Sequence, residues 1–114
     1  MNWNMKEIKN AEGIIKKQIF EILQTIGYSA KKIILFGSRA RKDFTKFSDY
    51  DILIITDRTF EIKEKMSISK KIREYLAKSG IDVDVVIKSD AEVQVLRDKP
   101  GSIVRNAMKE GVAL

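Results

Sequence analysis

Residues 36–55 read FGSRARKDFTKFSDYDILII. An apolar run that begins at Ile33 stops at Gly37-Ser38, and a basic, polar segment follows it. Two aspartates one residue apart, Asp49 and Asp51, then open a second apolar run. Short apolar runs bounded by glycine and aspartate read as buried strands. Ile33–Phe36 and Asp51–Thr56 are the strands expected here. Between them Ser38 is expected to cap a short helix running to Asp43.

Outward from this stretch the chain alternates helix and strand. Upstream, Ile8, Ala11, Ile15, Ile19, Ile22 and Ile26 recur in steps of three and four, which marks one face of a helix over residues 6–26, stopped by Gly27. Downstream, Ile62–Lys78 reads as a helix with Ile62, Met66, Ile72, Tyr75 and Leu76 facing inward, ended by Gly80. Val83–Ile87 is a third strand, Ala91–Leu96 a short helix, and Ser102–Lys109 a last helical turn or two after Pro100. The order α-β-α-β-α-β-α predicts a two- or three-layer α/β domain on a small sheet. Nothing in the sequence places the first helix against it.

The chain has 114 residues, 44% of them hydrophobic, which suits one core and one domain over residues 1–114. No apolar run approaches the roughly 20 residues of a membrane span, and the N-terminus lacks a signal-peptide core, so the expected location is the cytoplasm. There is no cysteine and no histidine. That excludes thiol nucleophiles, thiolate zinc sites and Ser-His-Asp chemistry. A metal would have to be held by oxygen, which favours hard ions such as Mg²⁺. The net charge of +6 suits nucleotides, nucleic acid or an acidic partner, and equally a lysine-rich solvated surface.

Side chains alternate along a strand, so Asp49, Asp51, Leu53 and Ile55 share one face and Tyr50, Ile52 and Ile54 the other. In the third strand Asp82, Asp84 and Val86 share a face opposite Val83, Val85 and Ile87. If the second and third strands are neighbours, one of these acids completes a three-carboxylate cluster. Asp84 lies deeper in the apolar run, where an unpaired charge is costly; Asp82 is nearer solvent. Asp49 taken alone is as well explained as a turn residue. Three acids on two strand ends instead point to divalent cations. Gly37 permits close approach of backbone to a ligand, and Ser38 adds a hydroxyl, an arrangement suited to phosphate though not a Walker A loop. A phosphate cradle beside a carboxylate cluster points to two-metal phosphoryl-group chemistry.

These residues resemble the signature of the minimal nucleotidyltransferases of the DNA polymerase beta superfamily: Gly-Ser-x-Ala-x-Gly, a spacer, Asp-x-Asp, and a third Asp on a later strand. Gly37, Ser38 and Ala40 match, as do Asp49, Asp51 and, in VDVV, Asp84. Lys42 stands where the family has its second glycine, a position at which a left-handed backbone would be strained by lysine. The resemblance implies a small mixed β-sheet flanked by helices, and transfer of a nucleoside monophosphate from ATP or another NTP with loss of pyrophosphate. It implies that Gly37 and Ser38 hold the triphosphate, with Arg41 as a further phosphate contact or else a solvated residue. It implies that Asp49, Asp51 and Asp84 bind two Mg²⁺ ions, Asp84 helping to deprotonate the acceptor. Arg39 matches another basic position. Minimal members pair with a HEPN-domain protein as toxin and antitoxin, so a HEPN partner, or a second copy of the chain, would supply what a longer relative carries. The alternatives are a binding module that neutralises its partner without catalysis, and a basic nucleic-acid-binding domain.

Overall fold

The computed structural model describes residues 5–114, with side chains from Asn10 onward. The elements are α1 (Met5–Thr25), β1 (Ala30–Phe36), α2 (Gly37–Arg41), β2 (Tyr50–Thr56), α3 (Ile62–Lys78), β3 (Val83–Ser89), α4 (Asp90–Leu96), α5 (Ile103–Glu110) and β4 (Val112–Ala113). The expected order is present, extended by a terminal strand that two residues were too short to announce. The expected place of Ile8 on the first helix face lies outside the described side chains.

The four strands form one mixed sheet in the order β3-β2-β1-β4. β1 runs antiparallel to β2 and to β4, while β2 and β3 are parallel. A parallel pair cannot be joined by a tight turn, and α3 supplies the crossover. Helices cover both faces, so of the two expected layer counts the protein has three. On one face α1 and α3 pack Ile15, Ile19, Leu23, Ile68, Ile72 and Leu76 onto Leu35, Ile52 and Ile54. On the other, α4 and α5 pack Val93, Val104 and Ala107 onto Ile34, Leu53 and Ile55. Both faces of β2 are therefore apolar from Ile52 to Ile55, each such side chain contributing about 1.5–3 kcal/mol by leaving water.

Two expectations need correction. In α3 the inward stripe is Ile68, Ile72 and Leu76, whereas Ile62, Met66 and Tyr75 are 76%, 67% and 44% exposed. At 3.6 residues per turn Met66 is rotated roughly 120° from Ile72, so one straight helix cannot bury both against a flat neighbour. The other correction concerns Ser38. It lies inside α2, which begins at Gly37 with Phe36 in the capping position and no side-chain cap. The helix also ends earlier than Asp43: Lys42 adopts a left-handed conformation, φ 65° and ψ 23°, and the Lys42 and Asp43 amides both donate to the Ser38 carbonyl.

Lys42 thus occupies a backbone position that favours glycine, as its departure from the family pattern suggested. Left-handed backbone costs a non-glycine residue roughly 1–2 kcal/mol, partly offset by the greater freedom glycine has when unfolded. Lys42→Gly is expected to stabilise the protein by about 0.5–1 kcal/mol. Urea unfolding should show a higher midpoint with an unchanged slope.

Candidate active site

The acids lie where α4 and α5 stop covering the sheet. Those helices protect Leu53 and Ile55 but not the beginning of β2 or β3. Asp51 is the second residue of β2 and stands in register with Asp84 of β3 on one side and Phe36 of β1 on the other. In-register residues of neighbouring strands are about 5 Å apart and point to the same face. The structure therefore brings Asp51 and Asp84 together. Asp49 precedes the strand, exposed at the end of the loop from Lys42. Asp84 is also exposed rather than buried as its apolar neighbours suggested, because the sheet is uncovered at that end. Asp82 is exposed too, and its carbonyl accepts from the Tyr50 amide at 2.9 Å, tying the start of β2 to the approach to β3.

Gly37 turns the chain out of β1 directly beside Asp51. Its φ is +71°, and a Cβ there would lie 2.2 Å from Asp51 Oδ2. Glycine is required twice over, by the left-handed backbone and by a carboxylate in the space a side chain would take. Ser38 and Arg41 follow on α2, Arg41 at the outer end with its Nε donating to Asp43 Oδ2 at 3.2 Å.

The loop that delivers Asp49 is held by Arg39. This side chain is buried, with its guanidinium 4.4 Å from the Phe44 ring centre and 4.3 Å from that of Tyr50. Its Nε and Nη2 both donate to the Ser48 carbonyl, at 3.2 and 2.9 Å. A planar cation between two rings, hydrogen-bonded in its own plane to the residue before Asp49, makes the loop a firm mount for that acid. The sequence marked Arg39 only as a basic position; its partners are set by how the loop folds back.

Glu110 is the site residue that sequence reasoning missed. It ends α5, and its Oε1 accepts from the Gly37 amide at 3.2 Å and from Arg41 Nη1 at 3.1 Å. One signal was legible: an acid in the last position of a helix opposes the helix dipole and calls for compensating donors. That those donors belong to residues some 70 positions earlier was not.

The charge balance is acidic. Burial pushes the Asp51 carboxyl above its ordinary pKa, and Asp84, Asp49 and Glu110 push it further; Arg41 opposes them. A group held above its ordinary pKa by other carboxylates is one that a cation would relieve. An oxygen-only donor set fits a hard divalent ion. The three aspartates do not close into a ready-made cage, and no cluster of three metal-ligating side chains is drawn together among the described residues. Mutually repelling carboxylates, two of them exposed, are free to stand apart. An open groove of ≈ 490 Å³ runs beside α3 with Asp49, Asp82, Lys70 and Arg73 in its walls, and of the three aspartates only Asp49 lines it. Acids at a sheet end with a glycine turn against one of them suit a phosphate ester. Among the described residues no helix is long and apolar enough to cross a membrane.

Comparison with known proteins agrees with this chemistry. The family described as the nucleotidyltransferase domain matches residues 16–114. A Methanocaldococcus jannaschii protein with the provisional name protein adenylyltransferase is 33% identical over 106 residues, spanning 92% of this chain and 98% of its own. A second protein of that organism, with the same provisional name, is 38% identical over 72 residues, 63% of this chain and 70% of its own. Among solved structures, a Sulfolobus solfataricus protein provisionally described as a nucleotidyltransferase superposes with a TM-score of 0.61 at 19% identity, over 99% of this chain and 89% of its own. A Shewanella oneidensis complex, described as a tri-AMPylated HEPN toxin with its minimal nucleotidyltransferase antitoxin, superposes with a TM-score of 0.55 at 20% identity, over 89% of this chain and 69% of the matched one. At those identities the superpositions speak for the fold, a mixed sheet flanked by helices as in the polymerase beta-like transferases.

Proposed function

The chain belongs to the nucleotidyltransferase domain family, and from that premise we propose that it transfers AMP from ATP to a hydroxyl group of a partner protein, releasing pyrophosphate. The observation that carries the proposal is the register of Asp51 with Asp84 on adjacent parallel strands, beside a Gly37 turn that closes to within a missing side chain of Asp51. Residues 1–114 act as one minimal transferase domain in this reading.

The roles follow from position. Gly37 and Ser38 receive the triphosphate, and Arg41 at the end of α2 reaches its charge. Asp49, Asp51 and Asp84 would hold two Mg²⁺ ions, which when bound would offset the triphosphate charge and acidify the acceptor hydroxyl. Arg39 positions Asp49 through Ser48. Asp84 is exposed on β3, the edge strand, so an acceptor hydroxyl approaching from that side meets it first and can pass it a proton. The acceptor oxygen then bonds to the α-phosphorus as the bond to the β-phosphate oxygen breaks, and pyrophosphate leaves. In this reading the acceptor protein brings its own docking surface to this end of the sheet. A HEPN-domain protein in the cytoplasm, neutralised by the attached AMP, is the partner we propose; the support is that the Shewanella complex pairs an AMPylated HEPN toxin with an antitoxin of this fold.

The direct test is label transfer from α-labelled ATP and Mg²⁺ in a lysate of the source cells, with γ-labelled ATP in parallel and a HEPN-domain protein supplied as acceptor. Label from the α position alone, on a HEPN-domain protein, is the expected result. Label from the γ position would make the protein a kinase, and label from neither, with other NTPs and Mn²⁺ also supplied, would leave neutralisation by contact as the better account.

A further inference from the structure

Glu110 presents a conflict within the site. The Gly37 amide and the Arg41 guanidinium are the donors that an incoming triphosphate needs, and one carboxylate oxygen, Glu110 Oε1, accepts from both. A phosphate oxygen and Oε1 cannot use the same hydrogen bonds at once. With Glu110 in place a triphosphate would also meet the carboxylates of Asp49, Asp51, Asp84 and Glu110, while Arg41 already bonds two acids, Asp43 and Glu110.

We infer that Glu110 is a displaceable occupant of the nucleotide's anion site: it holds Gly37 and Arg41 while the site is empty, and an incoming phosphate group must eject it. The inference rests on the nucleotide reading above and adds what controls entry to that site. Three features support ejection of the side chain rather than movement of the helix. The Glu110 side chain is 31% exposed, so it has a path to water. The backbone after it is locked, because a Cβ on Gly111 would lie 2.2 Å from the Ala107 carbonyl oxygen and 2.3 Å from Ile34 Cγ2. The chain beyond is fastened to β1 by pairing of Val112 with Leu35 and of Ala113 with Ile34. A χ rotation is thus the available motion.

The competition also selects. A carboxylate is a monoanion that offers these donors one oxygen; a terminal phosphate carries more charge and three acceptor oxygens. A triphosphate, with more charge and more acceptor oxygens than a monophosphate, therefore displaces Glu110 better than a monophosphate does, and an uncharged nucleoside has nothing to displace it with. Return of Glu110 after transfer would help expel pyrophosphate. Occupation by an internal carboxylate also satisfies the Gly37 amide and Arg41 in the empty protein, where an unpaired donor would cost stability.

The test is calorimetric titration of wild type and Glu110→Gln with a non-hydrolysable ATP analogue, tripolyphosphate, AMP and adenosine, each with Mg²⁺. Glutamine keeps the shape and a neutral acceptor oxygen but removes the charge. The ATP analogue and tripolyphosphate are expected to bind Glu110→Gln roughly tenfold more tightly than wild type, as loss of one charge-assisted competitor requires. AMP should gain by no more than the same factor, and adenosine should not change. Equal or weaker triphosphate binding by a folded Glu110→Gln would overturn the inference and make Glu110 a brace for the Gly37 turn. Absence of ATP-analogue binding in both proteins would instead remove the nucleotide reading itself. A measurement on wild type alone guards against misfolding of the variant. On saturation with tripolyphosphate the Gly37 amide and Arg41 Nη resonances should shift while the α5 amides hold still, and an unmoved Gly37 amide would sink the idea.

Discussion

Asp51→Asn is expected to abolish transfer and, in the absence of divalent cations, to raise the melting temperature at neutral pH. The two effects have one cause. Asp51 stands in register with Asp84, a residue away from Asp49, where two helices leave the sheet uncovered. Burial first, then Asp84 and Asp49, hold its carboxyl above the ordinary value of 3.8. An acid that keeps its proton more tightly when folded than when unfolded makes the folded state less stable as it ionises. The destabilisation is therefore absent below pH 3.8, grows as pH climbs through the raised folded value, and is complete above it. Asparagine removes that cost, so the variant's advantage should be present at neutral pH and vanish in acid. Thermal unfolding followed across that range checks the sign. Added Mg²⁺ should raise the melting temperature of wild type and have much less effect on the variant, since a ligand that binds only the folded protein stabilises it in proportion to its affinity. Label transfer should fall by at least about 10³-fold, as for loss of a central catalytic group. Substantial transfer by the folded variant would refute the role given to Asp51. A melting temperature lowered at neutral pH would show that Asp51 is held by contacts that outweigh the repulsion.

Gly37→Ala is expected to cost both stability and activity. The backbone at Gly37 has a φ of +71°, and the added methyl would sit 2.2 Å from Asp51 Oδ2 and 3.1 Å from its Cγ. Left-handed strain alone is roughly 1–2 kcal/mol. Asp51 lies in β2, paired on both sides, and Gly37 follows β1 directly beside it, so relief requires a shift of the turn or of the carboxylate. A displacement of about 1 Å in such a site lowers rates on the order of 100-fold. Gly27 provides the control: its φ is +79°, but nothing lies within 4 Å of the position its Cβ would take. Gly27→Ala should show the strain in its urea midpoint and leave label transfer unchanged. If Gly37→Ala transferred as well as Gly27→Ala, the contact with Asp51 would have no part in the reaction.

What the sequence determined by itself were the features encoded within a few residues of one another. The apolar runs ending at Phe36 and beginning at Asp51 are strands because alternation and β-branched composition suit a pleated, buried surface. The same alternation put Asp49, Asp51, Leu53 and Ile55 on one face, and Asp84 with Val86. The steps of three and four along α1 were read correctly at Ile15, Ile19 and Ile22. The left-handed turn at Lys42 was foreseeable from one departure in a pattern of glycines. Spacing along the chain carries all of this, since helix and strand periods are local geometry.

Only the tertiary structure decided how those pieces meet. Asp51 and Asp84 share a register because α3 brings β3 parallel to β2, a consequence of packing Ile68, Ile72 and Leu76, not of any spacing between the acids. Met66 and Tyr75 face water although they are large and apolar, because the rotation of α3 follows the stripe that fits the sheet best. Arg39 is a clamp, because the loop folds back to place Phe44, Ser48 and Tyr50 around it. Glu110 reaches Gly37 and Arg41 because β4 pins the end of α5 to β1. Contacts across tens of residues depend on burial, which is a property of the assembled core; local sequence constrains each partner's conformation but not which partner it will find.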